Sequence, residues 1–129
     1  MSRRPVVGPA LLVVGAAHTA LTGVLHPRAV RGVLRDGVVD AVTRDPATGQ
    51  ERALAFWFAT AGLAMSGAGV VVTALERRPA PLPASLPWVV AGVGAWGAVL
   101  LPRSPFWVLV AVGAVAEVRR RAAEASPTA

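Results

Sequence analysis

From Ala53 to Leu75 the chain runs for 23 residues without a formal charge. No other feature narrows the fold as much. At a helical rise of about 1.5 Å per residue the run is about 34 Å long, enough to cross the roughly 30 Å hydrocarbon layer of a bilayer. Phe56, Trp57 and Phe58 stand near its start, where an interfacial aromatic anchor belongs, and Glu76, Arg77 and Arg78 end it. A second run, Val6 to Leu25, has 20 uncharged residues. It is about 30 Å long as a helix. Pro9 falls in its first turn, where a missing N–H costs little, and Pro27 follows it.

Composition points the same way. Hydrophobic residues make up 54% of the chain and charged residues 16%, against about 25% charge in soluble domains. At 129 residues there is room for one domain. A soluble domain of that size leaves much of its surface exposed, and with so few charges that surface would be too apolar for water. This excludes a disordered chain and argues against a soluble enzyme. Cysteine is absent, which removes disulfides, a thiolate nucleophile and cysteine metal sites.

Two shorter apolar runs follow. Leu86 to Leu101 has sixteen residues and Phe106 to Val118 thirteen, about 24 and 20 Å as helices. Pro79-Ala80-Pro81-Leu82-Pro83-Ala84 is a stiff link before them, and Pro102-Arg103-Ser104-Pro105 is a turn signal between them. One helix through 86–118 would be about 50 Å long, too long for a single span. The two runs therefore predict a helical hairpin, with a re-entrant hairpin as the alternative for such short segments. The expectation is an all-α polytopic membrane protein. Four transmembrane helices, at about 6–25, 53–75, 86–101 and 104–118, form an antiparallel bundle, and residues 1–129 make a single membrane domain.

The one sizeable polar segment is 26–52. Arg28, Arg31 and Arg35 recur at helical spacing, with Val30, Val33 and Leu34 on the other side. Asp36-Gly37 breaks this piece, and Val38, Val39, Ala41 and Val42 continue an apolar face. Such a pattern predicts an interfacial helix lying flat between the first two spans, Arg towards headgroups and Val inward. Asp45-Pro46-Ala47-Thr48-Gly49 reads as a turn before the second span. The segment is a connector over the bundle end; its functional alternative is a lid over an outward-opening cavity.

All thirteen positive residues are Arg. This usage, with abundant Ala and Val, suggests a GC-rich bacterial genome and a bacterial cytoplasmic (inner) membrane. With the N-terminus inside, Arg3, Arg4, Arg77, Arg78, Arg119, Arg120 and Arg121 are cytoplasmic; Arg28, Arg31, Arg35, Arg44, Arg52 and Arg103 are outside. The first set forms tight clusters at span ends, whereas the second is mixed with Asp36, Asp40, Asp45 and Glu51. This favours N-in and C-in. A net charge of +6 invites a nucleic-acid reading, but no basic stripe is interleaved with aromatics, so no nucleic-acid partner is expected. Ser2-Arg3-Arg4 resembles the start of a twin-arginine signal, yet no A-x-A cleavage site follows the first run.

His18 is the one ionisable side chain well inside a span, and such residues are functional suspects. Thr22 lies one turn on and Thr19 adjoins. His18, Thr22, Trp57 and Phe58 form the candidate cluster for a ligand or for polar packing. As packing, the imidazole should hydrogen-bond Thr60, Ser66 or the 26–52 loop. His26 projects about 12 Å further along the same helix and about 80° round, so the two His should not share a metal. No third ligand stands at metal spacing, and neither metal nor cofactor is expected. Glu117 beside Arg119–Arg121 reads as an interfacial ion pair. The absence of a mid-span carboxylate argues against a cation–proton antiporter. Gly15, Thr19 and Gly23 repeat at every fourth position, as do Gly62 and Ser66, Ala91 and Ala95, and Gly94 and Ala98. Such spacing lets backbones approach closely and makes a homo-oligomer a candidate partner besides the lipid bilayer. No phosphate loop, Ser–His–Asp set or paired carboxylates occur, so no catalytic residue is assigned.

Four short motifs occur in order: His18-Thr19, Asp36-Gly37-Val38-Val39-Asp40-Ala41, Ala55-Phe56-Trp57-Phe58, and Pro102 followed by Phe106-Trp107. In that order the chain resembles, over nearly its full length, a family of small bacterial integral membrane proteins known only as a domain of unknown function. The resemblance implies a four-span membrane protein and brings no activity or ligand. The expected role is a structural or accessory membrane component. The alternative is a binding or transport module for a small apolar molecule or lipid, using the cleft near His18, Trp57 and Phe58.

Overall fold

The computed structural model describes residues 5–78, 82–100, 102–103 and 105–125. Among these residues there are five α-helices and no strands: α1 (Val7–Leu25), α2 (Pro27–Arg35), α3 (Pro46–Glu76), α4 (Leu86–Leu100) and α5 (Phe106–Ala125). Two of them, α1 and α3, are long and apolar enough to cross a membrane, and α4 is a shorter apolar helix. The expected ends at Leu101 and Ser104 lie outside the described residues.

Two helices outrun the expected spans. α3 begins at Pro46, seven residues before Ala53, and covers 31 residues. The stretch Asp45–Gly49, expected as a turn, is the start of this helix. The Asp45 carboxylate accepts the Ala47 N–H at 3.0 Å and the Thr48 hydroxyl at 2.8 Å, and Pro46 occupies the first helical position. Asp-Pro signals a turn and a capped helix start alike, and the cap won. α5 likewise continues to Ala125, past Val118. Its last turns carry Glu117–Arg120, Glu117–Arg121 and Arg120–Glu124 ion pairs at i,i+3 and i,i+4 spacing. Hydropathy marks the length that suits hydrocarbon, and charged residues continue a helix beyond it.

The chain forms two compact units, one made of the N-terminal residues to Ala10 with the chain from Val70 on, the other of Leu11–Gly69. In the first unit α4 and α5 pack as a close hairpin. A Cβ on Gly94 would lie 2.6 Å from the Val110 nitrogen, and one on Gly113 2.6 Å from the Pro87 carbonyl oxygen. Glu76, at the end of α3, caps the start of α1. Its carboxylate accepts the N–H groups of Val6, Val7 and Gly8 at 3.0, 3.0 and 2.9 Å. These are the donors a helix start leaves unpaired, and a carboxylate also meets the positive end of the helix dipole.

In the second unit the remainder of α1 runs antiparallel to α3. A Cβ on Gly15 would stand 2.6 Å from the Gly62 carbonyl oxygen and from Ser66. One on Gly62 would strike Thr19, whose hydroxyl donates to the Gly15 carbonyl at 3.0 Å. The small residues spaced four apart thus form the seam. α2 buries Ala29 and turns Arg28, Arg31 and Arg35 outward.

Candidate functional site

The second unit brings part of the expected cluster together. His18 and Phe58 stack face to face, ring centroids 3.8 Å apart and planes 16° from parallel. His26 meets the edge of the same Phe58 ring at 5.9 Å. His26 is the N-cap of α2. Its backbone N–H donates to the Thr22 carbonyl at 2.9 Å, so its backbone continues the line of α1, and both imidazoles border one aromatic ring. Among the described residues no group of three His, Asp or Glu is placed to hold a metal ion.

The other two residues behave differently. Thr22 is buried, and its hydroxyl has no hydrogen-bond partner among the described residues. Trp57 is exposed and pairs edge to face with Phe56, at 5.2 Å, rather than with His18. Residues 56, 57 and 58 fan out around α3, so only one of these neighbours can face α1. His18 has no described hydrogen bond to Thr60 or Ser66; Ser66 instead lies against Gly15. Its contact is a ring face in place of the expected hydroxyl.

A second constellation was not expected. Arg52 is 6% exposed. It donates from Nη2 to the Asp36 carboxylate at 2.6 Å and from Nη1 to the Ala41 carbonyl at 2.7 Å. It also passes over Gly32, where a Cβ would lie 3.0 Å from Nη2. The Arg52 guanidinium, followed by that of Arg35, holds the Asp36 carboxyl below the usual carboxylate range. The Thr48 hydroxyl and the Ala47 N–H do the same for Asp45. Arg44 donates to the carbonyls of Asp36 at 3.1 Å and Val39 at 2.9 Å. The Asp36–Ala41 motif is therefore a loop tied down by two arginines. Gly37, Val38 and Asp40 have positive φ angles of 92°, 62° and 57°, and Ala41 is 1% exposed beneath them. The signal in the sequence was an Asp-Gly break with a small residue, Gly32, one turn before it and a lone Arg sixteen residues after it.

Between α4 and α5 lies an open depression of about 340 Å³, lined by Pro87, Ala91, Val110, Glu117 and Arg121 among others. Glu117 accepts from Arg120 at 2.8 Å and from Arg121 at 2.7 Å. Its carboxylate is committed to these partners, as an interfacial ion pair would be.

The model of a family described as a family of unknown function, DUF6463, matches residues 2–123. No curated protein matches the chain. No solved structure matches it.

Proposed function

The chain belongs to the family of unknown function DUF6463, and on that premise we propose that it is a multi-pass integral membrane protein with a structural or accessory role. The reading places four spans within α1, α3, α4 and α5 in one membrane domain, in a bacterial inner membrane with both termini cytoplasmic. One observation carries it. In the most apolar windows of α1 and α3, only 28% and 17% of residues are buried inside the protein. The core helix of a soluble domain buries most of its apolar surface, whereas these helices present theirs outward, to lipid.

The chain has no cysteine, so single-cysteine variants report cleanly. Leu63 on α3 and Val93 on α4 are 62% and 51% exposed and would react readily in water. In native membranes, Leu63→Cys and Val93→Cys are expected to resist a membrane-impermeant maleimide. Strong labelling of either removes that span.

The Thr22 hydroxyl, buried and without a partner among the described residues, supports a second reading. In it, the His18, Thr22 and Phe58 region, with Trp57 at its margin, takes a small apolar molecule that carries one polar group. Mass spectrometry of the purified protein separates the two. A stoichiometric quinone or lipid lost on Thr22→Val supports the binding module, and a ligand-free oligomer supports the accessory role.

A further inference from the structure

In the segment joining α2 to α3 the carbonyls of the tip, from Asp36 to Ala41, take their donors from within the protein. The Gly37 carbonyl accepts the Val39 N–H at 2.6 Å and the Val38 carbonyl accepts the Ala41 N–H at 3.2 Å. The Asp40 carbonyl accepts the N–H groups of Thr43 and Arg44 at 3.3 and 3.0 Å. The three that remain take arginine. Arg44 serves Asp36 and Val39, and Arg52 serves Ala41. Every carbonyl from Asp36 through Ala41 thus has a donor from the protein itself. A loop in water has no need of this, because water supplies the donors.

The side chains of the same loop are arranged the opposite way. Val38 and Val39 are 59% and 78% exposed, next to Leu34 on the last turn of α2, which is 66% exposed. Val38 is held in the left-handed region, costly for a β-branched residue. The two arginine clamps hold the loop that presents it. Ala29 and Ala41 turn inward, so the apolar surface is the loop tip and not an inner face of α2. Arg28, Arg31 and Arg35 stand exposed on the helix just before it.

Carbonyl groups without donors are costly away from bulk water, and those of this tip already have donors, which suits it to the boundary between headgroups and acyl chains. Exposed Val and Leu gain by leaving water, and neighbouring Arg side chains complement lipid phosphates. We infer that the Val38–Val39 tip is a wedge inserted into the headgroup–acyl boundary of the leaflet where α1 ends and α3 begins, with Arg28, Arg31 and Arg35 on lipid phosphates. The inference rests on the membrane reading above.

Val39→Cys, labelled with a polarity-sensitive fluorophore, tests it in vesicles of phosphatidylcholine and phosphatidylglycerol that contain brominated lipid. Leu63→Cys is the reference for α3. The expected result is blue-shifted emission at position 39, quenched by bromine and shielded from aqueous iodide. Iodide quenching at 39 with bromine quenching at 63 overturns the wedge and leaves the membrane reading standing. Iodide quenching at both positions overturns both. A blue shift without bromine quenching means a protein surface covers the tip, and also overturns the wedge. Arg44→Gln frees the carbonyls of Asp36 and Val39. It is expected to move the probe at 39 into water while bromine still quenches the probe at 63, and unchanged quenching at 39 in this background overturns the inference.

Discussion

Arg52 is 6% exposed, and the loop around it supplies partners for its guanidinium. One side of its guanidinium meets a carboxylate and the other a backbone carbonyl. A buried cation is tolerated when its donors are used in this way. Arg52→Leu strands the Ala41 carbonyl, and leaving a buried acceptor unpaired costs about 1–3 kcal/mol. Thermal unfolding of the purified protein should show that loss. Arg52→Lys should lose less, since one ammonium keeps the charge but cannot fork to both acceptors. The same contact sets a pH dependence. The ionised Asp36 carboxylate is the form that Arg52 holds, so its folded-state pKa lies below the ordinary value. Its contribution is complete above the ordinary carboxylate range and is lost as the pH falls through the lowered value. Melting temperature should therefore drop on acidification below that range, and Asp36→Asn should flatten this part of the profile. An acid limb of unchanged steepness in Asp36→Asn would assign it to other groups.

The helices explain why a residue-by-residue reading loses some of this. Apolar length, proline positions and four-residue spacing of small side chains are local properties, and they located all four long helices. The ends were a different matter. The stretch 46–52 is polar, so a bilayer-length criterion stopped at Ala53, although Asp45 and Pro46 form a helix cap in their own right. At the seam of α1 and α3 the close approach makes a sharp contrast between two glycines. Gly15→Val must push a side chain against the Gly62 carbonyl and Ser66. Backbone cannot yield there, and overpacking of this kind costs about 1–3 kcal/mol. Gly23 has nothing within 4 Å of an added Cβ. Gly23→Ala should leave stability unchanged or raise it by up to about 1 kcal/mol, through helix propensity alone. Equal losses in the two variants, measured by unfolding in the same detergent, would mean that the seam is not at Gly15.

For the whole molecule, membrane residence and topology make the decisive prediction. A reporter active only outside the cytoplasm, fused after Ala129, should give no signal in bacterial cells. A strong signal would reverse the orientation or remove one span. The Arg clusters at 77–78 and 119–121, which adjoin ends of the apolar runs, are the reason for expecting that topology. The sequence by itself determined the all-α character, the two long apolar helices, the proline break between α4 and α5 and the four-residue spacing of small side chains. Each of these follows from what neighbouring residues can do without a distant partner. Tertiary structure alone decided that Glu76 caps a helix start some seventy positions away in the chain, at Val6. It also decided that His18 rests on the ring of Phe58 and that Arg52 is buried under α2 and the loop after it. The environment of a charged or aromatic group is set by whatever folds over it, and that is a choice among partners that no local pattern encodes.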